Sequence, residues 1–340
     1  MLSAAGSAYR NLNCAAIKER VPEEMATLAA GLKDVSEKGD QLIKLAGGVR
    51  PAVAAFRQAY LLQEGELPLN ETGLKHLVGL VGESELAILR EVAAYGVPTL
   101  QAEESPPTEF HRPYKTAQAA ASEVGVTALK DAAVARAFLA SGSSRERLAE
   151  ARVNLSSLGA VPKKDATGQA TGKVRATTDL RPLNDFIAKH LVKQYALSRF
   201  KAPGAYMPRL QRLMQNVVTL ARRFPGVAIG GGKSDLSEAF KLMHVLLADV
   251  PAFGWELPLE GLEGLDKWTI YQLLLVLPFG WDKSPAWFNL LAWVRGYWLK
   301  HMPLWGQASP SSTVEIVSPV AYRGWTITCS WWHCSVNEDG

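Results

Sequence analysis

Cysteine is scarce in this sequence: Cys14, Cys329 and Cys334 are the three among 340 residues. An odd, sparse count excludes a disulfide scaffold and fits a reducing compartment. Cys329, His333 and Cys334 lie close together but have no second pair of ligands, so they do not make a zinc site. No run of about 18 apolar residues occurs, which excludes a membrane-spanning helix on the sequence pattern. The first twenty residues lack the apolar core of a secretory signal; they are acid-poor and carry Arg10 and Lys18, which leaves a transit peptide open. The expected location is intracellular, in cytoplasm or nucleus. Strong charge bias is also missing. The net charge is +4, mild enough to permit nucleic acid as a partner without demanding it.

The composition that is present, 48% hydrophobic and 21% charged, supports at least one sizeable core and two domains. Residues 1–100 read as helical. The stretch GLKHLVGLVGESELAILREVAAYG, residues 73–96, repeats apolar residues every three to four positions and stops at Gly-Val-Pro. A helical region without chemistry of its own is the expectation there. Residues 101–115 are rich in proline and charge and read as a linker. Residues 116–152 are alanine-rich and read as helix, so 101–152 form a linker and helix. There is no internal repeat.

The texture changes at Leu158. LGAVPKK is a short strand, DATGQATGK a turn and VRATTDL a β-branched strand, together a hairpin. RPLNDFIAKHL leads into a helix, and residues 208–224 form a clear amphipathic helix. GVAIGGGKSDL reads as a buried strand. Residues 248–280 read as two strands around an acidic turn, and a helix starts near Ser284-Pro285, with proline in its favoured first turn. Hairpin, helix, strand, helix, hairpin, helix is an α+β order, not a doubly wound sheet.

Four strings then stand in order: PKKD (162–165), GKVRATTDLRPLN (172–184), KSDLSEAF (233–240) and LPFGWDKSPAWFNLL (277–291). In order and spacing they resemble reverse transcriptases, and more closely those of retrotransposons than retroviral ones. The resemblance implies the fingers and an incomplete palm of a right-hand polymerase over residues 153–310. It implies magnesium or manganese as cofactor, and deoxynucleotides and an RNA or DNA template-primer as partners. Asp235 is then the catalytic carboxylate and first metal ligand, with the Leu236 carbonyl as a minor ligand. A strand-end aspartate capping a helix is the plainer alternative. Phe240 matches the ring that excludes a 2′-hydroxyl and so selects deoxynucleotides. Lys163 and Arg175, on the two arms of the hairpin, match the cations that hold the triphosphate. Phe279 and Gly280 match the turn against the incoming nucleotide, where glycine permits close approach. Trp281, Lys283 and Ser284 are expected at the template-primer. Asp179 and Asn184 are expected to organise the loop. The alternatives are a non-enzymatic nucleic-acid-binding remnant and an RNA-dependent RNA polymerase, the latter disfavoured by Phe240.

One part of the family pattern is missing. An aliphatic-x-Asp-Asp hairpin should follow the helix that begins near Ser284, and Glu315, Glu338 and Asp339 are the only acids after Trp293. Residues 311–340 instead pack Trp325, Trp331 and Trp332 beside two cysteines with no strand or helix period. Back-translation accounts for this. Joining the last base of each codon to the first two of the next forces aspartate at Trp325-Thr326 and an aliphatic or methionine at Gly324-Trp325. It allows aspartate at Thr326-Ile327 and forces valine, alanine and leucine from Trp331 to Cys334. The chain therefore resembles a truncated or frameshifted retrotransposon segment with an out-of-frame tail over 311–340. Nucleotide sequencing of the locus should show an aliphatic-Asp-Asp string once the neighbouring frame is restored between Pro303 and Tyr322. A stop codon in that frame ahead of the string would end the frameshift account.

Overall fold

The computed structural model describes residues 25–301 apart from 80, 100–105, 107, 166, 191–209, 224, 226–228 and 234–237, together with 316–317 and 325–329. In chain order the helices are α1 (Met25–Ala46), α2 (Val49–Glu64), α3 (Glu71–Lys75), α4 (Glu83–Tyr95), α5 (Lys115–Gln118), α6 (Ala121–Ala133), α7 (Arg145–Glu150), α8 (Arg181–His190), α9 (Leu210–Arg223) and α10 (Ser284–His301). The strands are β1 (Ala137–Ser141), β2 (Leu158–Lys164), β3 (Ala170–Thr178), β4 (Ile229–Lys233), β5 (Gly254–Glu256), β6 (Ile270–Leu274), β7 (Ile316–Val317) and β8 (Trp325–Cys329). The protein is an α+β chain in two compact units. The first comprises residues 1–70, 91–201 and 240–284, and the second 71–90, 202–239 and 285–340. Among the described residues no helix is long and apolar enough to cross a membrane.

The first unit is built on an antiparallel sheet in the order β1-β6-β5. β1 is Ala-Phe-Leu-Ala-Ser, with all five residues buried, and pairs from Ala137↔Leu274 to Ser141↔Ile270. This corrects the helical reading of residues 116–152. A five-residue apolar run is too short to show its period, and its partners in β6 lie 129 to 137 residues away in sequence. α1 and α2 cover the sheet, burying Leu28, Leu32, Leu42 and Ile43, with Phe56 edge-on to Phe138 at 5.6 Å. Gly39 of α1 lies against the Leu139 backbone so closely that a Cβ has no room. The next residue, Asp40, fixes the end of β1: its carboxylate accepts from the Ser141 amide at 2.9 Å and the Ser143 hydroxyl at 2.8 Å.

The sheet continues irregularly. Residues 243–246 lie between Val97 and residues 275–277, through Val97 N–H to His244 O (2.7 Å), Val245 N–H to Leu275 O (2.9 Å) and Leu277 N–H to Met243 O (2.9 Å). Into this seam α2 inserts Arg57. Its Nη2 donates to the carbonyls of Val245 at 3.0 Å and Leu275 at 3.2 Å. Burial pulls the guanidinium down to about 10, still charged at neutral pH, and leaves its Nε without a partner.

The separate hairpin β2–β3 is antiparallel, from Leu158↔Thr178 to Pro162↔Val174, with a register shift between Pro162 and Lys164. Its second strand begins at Ala170, earlier than the sequence suggests, because Asp165 closes a tighter turn. The Asp165 carboxylate accepts from the Thr167 amide (2.8 Å), the Thr167 hydroxyl (2.6 Å) and the Gln169 amide (3.0 Å). The Thr167 hydroxyl, followed by the Gln169 amide, holds the carboxyl below its usual range.

The second unit holds α9 and the sheet β4-β8-β7. β8 pairs antiparallel with β4 from Ile229↔Cys329 to Lys233↔Trp325, and β7 pairs with β8. The tail thus contains strands that its sequence signals only weakly. Trp325-Thr326-Ile327-Thr328-Cys329 alternates apolar and polar residues and is β-branched at its centre, but a run of five residues is a weak signal.

His244 generates a pH prediction. It is 4% exposed, and burial, followed by the nearby Arg57 charge, pulls its imidazole down to about 3. The unfolded chain takes up a proton near pH 6.5 and the folded chain does not, so stability is complete above pH 6.5 and is lost as pH falls toward 3. Urea unfolding at pH 7 and pH 4 should show a loss about 3 kcal/mol greater for the wild type than for His244→Gln. Equal losses in both proteins would contradict this environment for His244.

Candidate functional site

The candidate site lies in the first unit, where the base of the β2–β3 hairpin meets the turn between β6 and α10. Gly280 adopts φ 101°, a conformation that favours glycine, and a Cβ there would come within 2.6 Å of Thr178 O. Asn184 spans the turn: its amide donates to Gly280 O at 2.9 Å, and its carbonyl accepts from the Asp282 amide at 3.3 Å. Ninety-six residues of sequence separate Asn184 from Gly280, so two of the four strings meet through one side chain. Asn184 therefore acts on the loop, as expected from the sequence.

Asp179 also organises the loop. Arg181 donates to both its oxygens, at 2.8 and 2.6 Å, and the Tyr114 hydroxyl donates at 2.9 Å. The Arg181 hydrogen bonds are the main cause that holds this carboxyl well below the usual range. Tyr114 comes from the proline-rich linker, and no sequence signal marks it as part of the loop. Its amide also donates to Leu158 O at 2.8 Å, so it pins the first residue of β2.

Phe240 and Phe279 form the centre of the surface. Their ring centroids are 4.7 Å apart at 59°, and Phe279 is 45% exposed. Phe240 follows Glu238, which adopts φ 53°, an uncommon conformation for a residue with a side chain.

Lys163, Lys164, Lys173 and Arg175 are exposed on the hairpin. Arg175 pairs with Val161, and Lys163 occupies the position where the register shifts. Such irregularities re-aim a side chain relative to simple alternation, so alternation from Val161 does not fix which face Lys163 takes.

The template-primer residues divide. Trp281 is 3% exposed and packs edge-on to Phe253 at 6.1 Å. Ser284 is fully buried and its hydroxyl donates to Pro278 O at 2.7 Å. Burial takes both side chains away from a template, so they correct the expectation: they hold the turn from within. Lys283 is exposed and pairs with Asp282 at 2.8 Å.

Asp235 and Leu236 lie outside the described residues. Among the described residues no group of three His, Cys, Asp or Glu side chains is placed to hold a metal ion. The sequence supplies Asp235 without the paired aspartates that should join it, so the donor set does not fit a two-metal centre. No family model matches the chain, and no curated protein matches it.

Gly280→Ala should destabilise the protein by about 2 kcal/mol or more, from the positive φ and the clash with Thr178 O. Asn184→Ala should cost about 1 kcal/mol, for two partly exposed hydrogen bonds, and should speed hydrogen exchange at the Asp282 amide. An unchanged urea midpoint for Gly280→Ala would refute this geometry.

Proposed function

We propose that residues 153–310 are the fingers and incomplete palm of a retrotransposon reverse transcriptase, a magnesium-dependent RNA-directed DNA polymerase whose catalytic centre is unfinished in this 340-residue chain. One observation carries the reading. The turn Pro278–Trp281 seats on the base of a basic hairpin through Asn184 and Gly280, while its Phe279 packs on Phe240. Residues from three of the four strings thus converge on one surface, although nothing in composition requires them to meet.

Each residue has a chemical task under this reading. The Phe240 ring, backed by Phe279, leaves no space for a 2′-hydroxyl and favours deoxynucleotides. Lys163 and Arg175 supply positive charge where a triphosphate develops negative charge; the planar guanidinium suits paired phosphate oxygens. Gly280 lets the backbone approach the nucleotide without a side chain between. Divalent metal would neutralise the phosphates and activate the primer hydroxyl, and for that the chain offers Asp235 alone.

A second reading is favoured by that same deficit. The chain is a non-enzymatic nucleic-acid-binding remnant, holding RNA or DNA by Lys163, Lys164, Arg175 and Lys283. The two readings share a cationic surface and differ in catalysis.

Primer extension on poly(rA)·oligo(dT) with magnesium or manganese should give no product above background. Product that disappears in Asp235→Ala would overturn the incompleteness. Binding to a primer-template duplex should be weak and should fall as salt rises. If four cations meet phosphates, log affinity against log salt has a slope of about −3 to −4. Lys163→Ala should make that slope shallower by about 1. Affinity independent of salt would exclude both readings. Supplying the paired aspartates in the restored frame should give extension, and thermal stability that rises with millimolar magnesium.

A further inference from the structure

A second concave site lies in the first unit, away from the hairpin turn. It is a cavity of about 400 Å³ between the linker before α5, the start of α7 and the loop joining β5 to β6. That volume is in the range of small-molecule sites. Its chemistry is divided. Glu256, at the end of β5, is half-buried, and burial pushes its carboxyl up. Arg112 and Arg145 are its opposing charges, and each pulls the carboxyl back down. Among the described residues no hydrogen bond or ion pair joins Glu256 to either guanidinium. A carboxylate and two cations thus face one cavity with a gap between them.

The walls are ordered. The Arg145 guanidinium lies over the Phe110 ring at 5.0 Å, and Phe110 stands edge-on to Tyr271 at 6.1 Å. Trp268 also lines the cavity, with Lys33 over its ring at 4.7 Å. The neighbouring Glu260 is engaged by the Gln118 amide at 2.9 Å, which fixes the rim across 142 residues of sequence. Asp266 adds a third carboxylate to the lining. Three acids against two arginines disfavour a purely anionic ligand such as a nucleotide. The separated charges and aromatic walls suit a ligand that carries both signs and an aromatic group.

We infer that this cavity binds a small aromatic zwitterion of the amino-acid class. The ligand's carboxylate lies at Arg112 and Arg145, its ammonium group at Glu256, and its ring between Phe110 and Trp268. The site is independent of the polymerase reading and uses none of its residues.

Calorimetric titration of the full chain tests it, with L-phenylalanine, 3-phenylpropionate, phenethylamine and AMP as probes. L-Phenylalanine should bind saturably. 3-Phenylpropionate and phenethylamine, each lacking one charge, should bind at least about tenfold more weakly. Glu256→Gln should reduce L-phenylalanine affinity about tenfold and leave 3-phenylpropionate unchanged. Arg112→Ala, at an exposed position, should do the converse, sparing phenethylamine. Absence of saturable heat with L-phenylalanine would overturn the proposal. So would binding of AMP or 3-phenylpropionate as tight as L-phenylalanine, or an unchanged affinity in both variants. Circular dichroism of each variant separates lost binding from lost fold.

Discussion

The buried cation of Arg57 sets the frame for the rest of the first unit. An isolated charge in a protein interior is costly, and hydrogen bonds offset the cost only where acceptors converge on it. Here the acceptors are backbone carbonyls, Val245 O and Leu275 O, on two segments joined by Val245 N–H to Leu275 O. One segment leads back to Phe240 and the other leads on to Phe279. The spacing of those rings therefore depends on a seam that an arginine from α2 ties together. A helical region with no chemistry of its own acquires a role through this contact: it holds the geometry of a surface built by other parts of the chain.

The polar groups around the seam obey the same constraint. His244 stays neutral because burial, followed by the nearby Arg57 charge, disfavours its charged form. Asp131 is buried and accepts from Lys241 Nζ at 2.7 and 2.9 Å. Asp249 is buried and accepts from the amide and hydroxyl of Thr99, at 2.7 and 3.2 Å. Asp131 and Asp249 each have a donor, whereas Arg57 Nε and His244 Nε2 have no hydrogen-bond partner. Two of the buried polar atoms without a partner thus lie where α2 meets the seam, at Arg57 and His244.

Local periodicity made part of this legible from sequence. The hairpin, the amphipathic α9, the β5–β6 pair and the start of α10 all carry their own turn residues or repeats, so their physics is local. The remainder depends on partners distant in sequence. β1 is a strand only because β6 pairs with it. Trp281 resembles a surface residue of a Gly-Trp turn until Phe253 claims its ring. Tyr114 belongs to the loop because Asp179 comes within reach of its hydroxyl, and a proline-rich linker gives no hint of that. The resemblance groups Phe240, Phe279 and Gly280 by motif, and of these Phe240 packs on Phe279. Buried Trp281 and Ser284 show its limit: a motif matched by position does not fix the direction of a side chain.

The pairing of β8 with β4 separates what a backbone does from what side chains do. β4 is Ile-Gly-Gly-Gly-Lys, so its middle three residues present backbone donors and acceptors with no side chains to choose a partner. A glycine-rich strand specifies register weakly, because nothing is displaced when the partner slips. A β-branched segment such as Thr-Ile-Thr can occupy the slot whatever its reading frame. In the neighbouring frame the fixed aspartate arises at the Trp325-Thr326 junction, and the present register sets those residues opposite Lys233 and Gly232. Lys233 precedes Asp235 by two residues. Trp325 and Thr326 are both uncharged, so β8 brings no carboxylate to this end of β4. Strand pairing at β4 rests on backbone amides and carbonyls, so it places little demand on which side chains β8 carries.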